Sequence, residues 1–450
     1  MQPNDTIAST STNVMSRRRV RLHTLGCRLN EAELEDWAQR FQAQGFLIVD
    51  DDEPADLIVV NTCAVTQEAA RKSRQILRRA HRTNPGARLI VSGCLATLEA
   101  EALAREAGID LVVGNTNKER LVEIALTTLA IPAMPELAIT DIASSLFMRG
   151  RQRAFVKVQD GCRYQCTFCI TTQARGAERS RPPDETITAI RRLHQSGIQE
   201  VVLTGVHLGG YGSDTGSDLV RLVVRILAET DIPRLRLGSL EPWDLPDVFW
   251  TLFADPRLMP HLHLPLQSGS DAVLRRMARR CKTGEFARLV DGGRAVVPDL
   301  NVTTDIIVGF PGETADDWRQ TLEFAERMRF GQIHVFAYSP RAGTLAARLP
   351  GRVDAAVKRQ RCQELQTLAG RMKEEVMREQ IGRRMRVLCE GASDMEQSGV
   401  RFGYTPNYLP VQVMTDSFPP TGNRLLDVVL TGLDASGGRL LGQALGQIDF

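Results

Sequence analysis

The chain has no long hydrophobic run and no excess of charge of either sign. No stretch approaches the roughly 18 apolar residues of a membrane-spanning helix, so we expect no contact with a membrane. Its 56 lysines and arginines nearly balance 54 aspartates and glutamates, which leaves any nucleic-acid contact to local basic patches. The polar segment 1–17 lacks the apolar core of a secretory signal. We therefore expect a cytoplasmic protein with a disordered tail, in which Met15 is an alternative start.

Nine cysteines are present without the secretory setting in which disulfides form. Cys162, Cys166 and Cys169, here called the first triad, are separated by three and then two residues. This spacing can hold three irons of a cubane iron–sulfur cluster, whose irons are normally ligated by four cysteine thiolates. The remaining iron would then be open to a small molecule. A zinc knuckle or a redox pair on the last two cysteines is the alternative.

A second set of three cysteines is dispersed along the chain but shares one local setting. Cys27, Cys63 and Cys94, the second triad, each follow a strand-like segment and precede a helical one. Parallel strands end at one edge of a sheet, where ligand sites form, so we expect these thiols to converge on a second cluster. The alternative is that small apolar cysteines fill the strand ends. The other three cysteines lack such a setting, and we expect structural roles for them: Cys281, Cys362 and Cys389.

Strand and helix patterns divide the chain into three folded parts. Residues 18–130 alternate continuous apolar strands with amphipathic helices, which predicts a parallel α/β sheet covered on both faces. A linker at 131–150 leads to six strand–helix units at 151–380, which predict an incomplete (β/α)6 barrel. Five short strands at 381–450 predict a small all-β, OB-like barrel of the kind that binds oligonucleotides. A small sandwich is the alternative for this last part.

Together these motifs resemble the radical S-adenosylmethionine methylthiotransferase family over nearly all of the chain after the tail. Residues 24–30 are similar to the family's opening motif and residues 60–66 to its second. Further segments are similar to the branch that acts on tRNA carrying N6-threonylcarbamoyladenosine next to the anticodon: 156–162, 203–209, 239–243, 261–269 and 308–314. Related branches act on isopentenyladenosine in tRNA or on an aspartate of a ribosomal protein, and they resemble this chain less at 239–243.

The resemblance implies a tRNA-modifying enzyme that replaces the C2 hydrogen of the modified adenosine at position 37 with a methylthio group. It implies two 4Fe–4S clusters. The cluster on the first triad would cleave S-adenosylmethionine to a 5′-deoxyadenosyl radical, and the auxiliary cluster on the second triad would carry the inserted sulfur, which a second S-adenosylmethionine methylates. The implied partners are tRNA, S-adenosylmethionine, a flavodoxin- or ferredoxin-like reductant and a sulfur source.

Two classes of rival function remain beside this one. The first is the same chemistry on the substrates of the related branches. The second is a non-catalytic iron–sulfur electron carrier or an RNA-binding scaffold. An electron carrier needs neither an open iron nor a barrel of this size, so formation of 5′-deoxyadenosine separates the two classes.

Weaker site candidates lie near the first triad and at the ends of barrel strands, where barrel chemistry clusters. Phe168 lies between two cysteines and could pack on the adenine of the cofactor or in the core. Thr204, Gly205 and Val206 end the second barrel strand, where their backbone groups could meet the methionine moiety. Glu241 follows the third strand and is the candidate catalytic residue, with an ordinary surface salt bridge as the alternative.

Histidines and basic residues give less specific signals. The strand at 261–263 places two histidines on one face, where they could line the barrel or pack in it. The basic helices at 71–82 and 275–282 are typical of solvated faces, but either could contact tRNA phosphates. The resemblance further implies that the C-terminal barrel is the RNA-binding domain called TRAM. We expect RNA contact there through Arg401 and Tyr404.

Overall fold

The structure is a computed structural model that describes residues 18–131, 153–390, 399–414 and 424–445. The predicted tail lies outside these ranges, and so does the predicted linker except for residue 131. Among the described residues, no helix has both the length and the apolar character that crossing a membrane requires. The three predicted architectures are confirmed, while the exact boundaries between the parts stay predictions.

The first part is a five-stranded parallel sheet in the order β2-β1-β3-β4-β5. Separate apolar clusters cover its two faces, which is why β3 is a continuous apolar run. The elements are β1 (Arg19–Thr24), α1 (Arg28–Ala43), β2 (Leu47–Val49), β3 (Leu57–Thr62), α2 (Gln67–Thr83), β4 (Arg88–Gly93), α3 (Cys94–Leu98), α4 (Ala100–Ala104), β5 (Leu111–Val113) and α5 (Leu121–Thr128).

Two details of this part differ from the sequence-based expectation. Strand β2 is absent from the prediction because its three residues are too short to show an alternating pattern. The sequence pattern predicts one helix from Leu98 to Ala107, whereas the structure has the two short helices α3 and α4. Since α3 begins at Cys94, this cysteine lies in the first turn of a helix rather than in a loop before it.

The second part, here called the six-stranded barrel, contains two parallel sheets in the orders β10-β9-β6 and β11-β12-β13. An isolated bridge from Ser239 to His263 joins them. The elements are β6 (Arg153–Lys157), β7 (Gln159–Asp160), α6 (Thr171–Arg175), β8 (Arg179–Ser180), α7 (Pro183–Gln195), β9 (Glu200–Thr204), α8 (Leu219–Glu229), β10 (Arg234–Leu237), β11 (His261–His263), α9 (Asp271–Arg276), α10 (Thr283–Val296), β12 (Asn301–Val308), α11 (Ala315–Met328), β13 (Gln332–Ala337) and α12 (Ala355–Arg378).

The third part is a closed barrel with the strand order β14-β15-β16-β18-β17. Alternate residues of its strands, among them Val387, Val411 and Val428, form a buried apolar core. Closure of the sheet excludes the alternative of a sandwich. The strands are β14 (Arg384–Cys389), β15 (Val400–Tyr404), β16 (Pro410–Met414), β17 (Arg424–Leu433) and β18 (Leu440–Ala444).

The turn between β15 and β16 closes the amino-terminal end of the six-stranded barrel, here called the barrel floor. Glu200 is fully buried there and accepts hydrogen bonds from Arg236 at 3.0 Å and 3.1 Å. Arg236 also donates to the carbonyl oxygen of Pro406 at 3.1 Å, and its guanidinium lies 4.7 Å from the ring centre of Tyr408. The second and third parts are thus joined through buried charge.

This interface corrects the expectation for RNA contact by the C-terminal barrel. The ring of Tyr404 stacks on that of Tyr408 at 4.9 Å and lies 4.5 Å below the guanidinium of Arg153. Arg401 is only 8% exposed. Because Arg401 is buried, its side chain lacks the free surface that RNA contact requires. Tyr404 is half-buried against the barrel floor, and its contact with RNA stays a prediction.

Candidate cluster-binding and active site

The first triad lies in the loop between β7 and α6. The N–H of Tyr164 donates to the sulfur of Cys162 at 3.4 Å, and the N–H of Thr171 donates to the sulfur of Cys169 at 3.4 Å. The N–H of Cys169 donates to the carbonyl oxygen of Cys166 at 3.0 Å. The structure therefore brings the three thiols together, each half-buried. Burial raises the pKa of the Cys162 thiol to about 12.

A buried arginine adjoins this triad. Arg279 donates to the sulfur of Cys166 at 3.8 Å and to Glu241 at 2.8 Å, and it lies 4.4 Å from the ring centre of Trp243. Burial alone would lower the pKa of Arg279, but the charges of Glu241 and Cys166 raise it. Glu241 therefore holds a cation against a cysteine of the first triad, rather than forming a surface salt bridge.

The prediction of a solvated basic face at 275–282 is wrong for this arginine. Helix α9 ends at Arg276, and Ala278 then takes a left-handed backbone conformation with φ of 56°. This turn directs Arg279 into the interior, where its side chain is 4% exposed. The sequence contains no signal for such a turn, because alanine is an uncommon residue in that conformation.

The loop that follows β9 contains the next group of predicted residues. Thr204 is buried, whereas Gly205 and Val206 are half-buried. A Cβ atom on Gly205 would lie 2.9 Å from the side-chain oxygen of Gln159, so glycine allows the close approach of the two chain segments at this point. Phe168 packs beside Tyr338 in a small apolar cluster. Its placement suits a wall of the site as well as core packing.

A histidine that the sequence analysis missed closes the same loop. His207 is 1% exposed, and its two ring nitrogens lie 2.5 Å from Glu178 and 2.6 Å from Asp244. Burial opposes protonation, but the hydrogen bonds to the two carboxylates raise the pKa of His207. Donor atoms of Glu178, His207 and Cys162 lie within 4.8 Å of one another. The histidine thereby ties this loop to the first triad.

The second triad converges as the sequence predicts. Cys27 follows β1, Cys63 follows β3 and Cys94 follows β4, and these three strands are neighbours in the sheet. Gly26 has φ of 113°, and a Cβ atom there would lie 2.8 Å from the sulfur of Cys63. Cys27 is exposed, whereas Cys63 and Cys94 are buried. Burial raises the pKa of Cys63 to about 11.

Two asparagines and one arginine surround the second triad, and sequence reasoning missed them too. The side-chain oxygen of Asn30 accepts from the Cys27 thiol at 3.8 Å and from Arg175 at 2.7 Å. The amide of Asn115 donates to the sulfur of Cys94 at 3.8 Å and to the carbonyl oxygen of Ala174 at 2.7 Å. Because Ala174 and Arg175 belong to α6, the six-stranded barrel contributes directly to this site.

Arg175 connects the two triads. It lies in the short helix that begins two residues after Cys169, and its side chain is 2% exposed. It donates to Glu33 of the first part at 2.9 Å and to Asp160 of the barrel at 3.0 Å. Glu33 also accepts from Lys118 at 2.6 Å. Although burial opposes its charge, these carboxylates and the nearby cysteines raise the pKa of Arg175 well above its ordinary value.

The residues present fit iron–sulfur clusters at both places. Each triad offers three soft thiol donors, the ligand type that such clusters require, and each has a buried guanidinium nearby that can balance thiolate charge. The remaining cysteines lie elsewhere in apolar packing: Cys281 in the barrel core, Cys362 on α12 against that core, and Cys389 in the C-terminal barrel. Each site therefore has three cysteine donors and leaves one iron without a cysteine.

The two histidines of β11 differ in their surroundings. His261 is buried, with one ring nitrogen 3.0 Å from the hydroxyl of Thr303 and its ring 4.8 Å from that of Tyr408. It is a packed residue of the barrel floor. His263 instead lies 3.3 Å from the carboxylate of Asp305, and its side chain remains partly exposed.

Comparisons with known proteins agree with this geometry. Residues 19–114 match the uncharacterized protein family UPF0004, and residues 156–325 match the radical SAM superfamily. The chain is 36% identical over 407 residues to the threonylcarbamoyladenosine tRNA methylthiotransferase MtaB of Bacillus subtilis, with coverage of 87% of this chain and 89% of that one. It is 37% identical over 429 residues to the tRNA-2-methylthio-N(6)-dimethylallyladenosine synthase of Anaeromyxobacter sp. (strain K), with coverage of 91% of each.

A solved structure shares the fold. The radical S-adenosylmethionine methyltransferase TsrM of Kitasatospora setae superposes with a TM-score of 0.55 and 17% identity, over 74% of this chain and 77% of that one. At this identity the match supports the architecture alone, whereas the two relatives are similar over most of their length. The chain belongs to the radical S-adenosylmethionine methylthiotransferase family.

Proposed function

We propose that the protein methylthiolates C2 of N6-threonylcarbamoyladenosine at position 37 of tRNA. The observation that carries this proposal is the 36% identity, over 87% of the chain, to a relative named for that activity. The competing substrate is the dimethylallyl-modified adenosine, because a relative named for it is equally similar. The two candidate substituents differ in chemistry, since the first is polar and anionic and the second is apolar.

Within this proposal the first triad ligates the radical-generating 4Fe–4S cluster and the second triad ligates the auxiliary one. When bound, the clusters and S-adenosylmethionine supply the electron, the radical that removes the C2 hydrogen, and the methylthio group. The chain supplies cations to each site: Arg279 lies 3.8 Å from the sulfur of Cys166, and Arg175 is held 2.7 Å from Asn30 beside Cys27. Positive charge near thiolate ligands favours the reduced state of a cluster.

The remaining candidates receive positioning or binding roles. The backbone of Thr204, Gly205 and Val206 would meet the methionine moiety, and Phe168 would pack on the adenine of the cofactor. Glu241 acts as a positioning residue, since its carboxylate orients Arg279 at 2.8 Å. No step of the reaction is assigned to Glu241 itself.

The exposed face of α2 is the best-supported surface for tRNA phosphates. Within the part of the chain that the structure describes, Arg71, Arg79 and Arg82 are exposed on this helix and form no ion pair. Helix α2 begins four residues after Cys63, and the hydroxyl of Ser73 on this helix accepts from the backbone N–H of Cys63 at 3.1 Å. Ser73 lies on the buried face of α2, and the three arginines lie on its exposed face. Cytoplasmic location, the reductant and the sulfur source stay predictions.

Nucleoside analysis of tRNA tests the substrate. In a strain that lacks the gene, we expect the 2-methylthio form of threonylcarbamoyladenosine to disappear from digested tRNA and the 2-methylthio form of isopentenyladenosine to persist. Loss of the isopentenyladenosine form, with persistence of the threonylcarbamoyladenosine form, would show that the proposed substrate is wrong. A wild-type gene copy serves as the control and should restore the missing nucleoside.

Two cysteine variants test the division of work between the triads. Cys166→Ala should abolish both 5′-deoxyadenosine and the methylthio product. Cys63→Ala should retain 5′-deoxyadenosine and lose the product. A methylthio product from Cys63→Ala would contradict the assignment of the second triad. If fully reconstituted wild-type protein with dithionite gave no 5′-deoxyadenosine, the electron-carrier alternative would be favoured.

A further inference from the structure

A group of three polar side chains inside the six-stranded barrel belongs to neither triad. His263 on β11, Asp305 on β12 and His334 on β13, here called the polar cluster, have donor atoms within 4.8 Å of one another. One ring nitrogen of His263 is 3.3 Å from the Asp305 carboxylate, and the rings of His263 and His334 are 5.6 Å apart. The strand pairing sets Asp305 directly beside His334.

The cluster faces the open interior of the barrel. Ile333 and Val335 pack against the barrel core on one side of β13, so the alternate residues His334 and Phe336 face the other side. His334 is exposed, and its imidazole has no hydrogen bond to any described residue. Phe336 is 48% exposed. This face of β13 thus combines unused hydrogen-bonding capacity with a free aromatic ring.

Residues next to the polar cluster are also close in sequence to residues at both triads. The carbonyl oxygen of His263 accepts from the N–H of Leu240, whose neighbour Glu241 holds Arg279 at the first triad. From the other side, Arg28 directly follows Cys27 of the second triad, and its guanidinium lies 5.1 Å from the ring centre of Phe155 on β6. Arg28 is also close enough to His334 to interact with it electrostatically.

The ring of His263 is oriented by two neighbours, whereas the imidazole of His334 is free to meet a ligand. The Thr303 hydroxyl lies 3.0 Å from a ring nitrogen of His263, which fixes that ring with its other nitrogen towards Asp305. Partial burial lowers the pKa of His334 against the opposing charge of Asp305, and the charges of His263 and Arg28 lower it further. In its uncharged form the imidazole has one donor and one acceptor nitrogen. Asp305 adds an acceptor and Arg28 adds a cation.

We propose that the polar cluster, together with Arg28, binds the substituent on N6 of the target adenosine. This inference rests on the proposed function, because it requires the threonylcarbamoyl substituent. That group has N–H and O–H donors for Asp305, partners for the imidazole of His334, and a carboxylate for the guanidinium of Arg28. The purine would stack on Phe336.

The same residues account for the choice between the two candidate substrates. An isopentenyl substituent has no hydrogen-bonding group, so its entry would leave the polar cluster unpaired. Sites built to hydrogen-bond a substrate discriminate strongly against analogues that lack the partner groups. The polar cluster is therefore a specificity-determining site.

The test measures binding of anticodon stem-loop RNAs by the reconstituted holoenzyme. The RNAs carry threonylcarbamoyladenosine, isopentenyladenosine or unmodified adenosine at position 37. The readout is the ratio of the Kd for unmodified RNA to that for the threonylcarbamoyl RNA. A variant that merely folds poorly weakens binding of all three RNAs and leaves this ratio unchanged. We expect His334→Ala and Asp305→Asn each to reduce the ratio about tenfold or more, as expected when one partner of a buried hydrogen bond is removed.

A matched control is His194→Ala on the outer helix α7, which should keep the wild-type ratio. Wild-type ratios in both cluster variants, with wild-type enzyme active on the threonylcarbamoyl RNA, would overturn the inference and leave the proposed function standing. Activity of the wild type on the isopentenyl RNA alone would overturn both. Retention of a divalent metal by the wild-type protein after its clusters are removed, with loss of that metal in His334→Ala, would also overturn the inference, because the cluster would then be a metal site.

Discussion

Among the residues that the structure describes, Glu200 is the one carboxylate of the barrel floor that faces three arginines at once: Arg153, Arg234 and Arg236. The substitution Glu200→Gln removes its charge with little change in shape. Burial alone would raise the pKa of Glu200, but the guanidiniums, led by Arg236, hold it at about 2 against an ordinary value of 4.5. Each pKa unit corresponds to about 1.4 kcal/mol. The native structure therefore gains about 3 kcal/mol from ionised Glu200 at neutral pH.

Glu200→Gln lowers the stability of the barrel because it leaves the buried arginines without their shared carboxylate. Burial lowers the pKa of Arg234 to about 10, so its charge is incompletely balanced even in the wild type. Removing one member of a buried ionic group typically costs about 3–5 kcal/mol. Because the folded-state pKa is lowered, the contribution of Glu200 is fully present above pH 4.5 and is lost as the pH falls from 4.5 towards 2. The difference between wild type and variant should shrink over the same range.

Hydrogen exchange of the holoenzyme at neutral pH measures this effect locally. Amides of β9 and β10 in Glu200→Gln should exchange about a hundredfold faster, the equivalent of about 3 kcal/mol. Glu229→Gln, which breaks an exposed salt bridge to Arg225 on α8, is the control and should leave exchange unchanged. Wild-type protection of β9 and β10 in Glu200→Gln would refute the reasoning that the barrel floor depends on this charge.

Three further outcomes are expected. Gly26→Ala should lower the iron content by about half and abolish methylthio transfer while 5′-deoxyadenosine still forms, because the added Cβ would lie 2.8 Å from the Cys63 sulfur. The control is Gly86→Ala, which has open space around it, and wild-type iron content in Gly26→Ala would contradict the argument. Arg279→Leu should shift the reduction potential of the first-triad cluster to a more negative value, as followed by electron paramagnetic resonance in a redox titration; an unchanged potential would show that the proximity of Arg279 to Cys166 has no electrostatic role. Replacing the exposed arginines of α2 with alanine should weaken tRNA binding; these are Arg71, Arg79 and Arg82. The slope of log K against log salt should become shallower by about 1 for each phosphate that is no longer neutralised. The control variant Arg221→Ala on α8 should change neither the binding nor the slope.

Local patterns predicted those elements whose stability is itself local. The sequence pattern predicts a strand at Glu200–Thr204, and β9 has these bounds because a continuous apolar run is buried on both sides. The pattern also predicts a helix at Ala315–Met328, and α11 has these bounds. The hydroxyl of Thr314 accepts from the N–H of Asp317 at 3.1 Å, and the Asp317 carboxylate accepts from the N–H of Thr314 at 3.0 Å. Convergence of the second triad was predictable because three matching turns at the ends of parallel strands must share one edge.

The interactions that the sequence did not reveal depend on the tertiary arrangement. Arg279 leaves its helix through a left-handed turn at Ala278, and Arg175 acts through residues of another part of the chain. His334 and Asp305 become neighbours only through the register of β12 and β13. A motif search over contiguous residues cannot detect such pairs.

The position of Arg175 limits how the protein can be divided or recombined. Its guanidinium belongs to the barrel, but two of its acceptors, Asn30 and Glu33, belong to the first part. If either part were expressed alone, the charges of Arg175 or Glu33 would lose the partners that neutralise them. A chimera of two relatives would therefore need this arginine and its two acceptors transferred as a unit. The parts of this enzyme look modular in sequence, but they share a single electrostatic core.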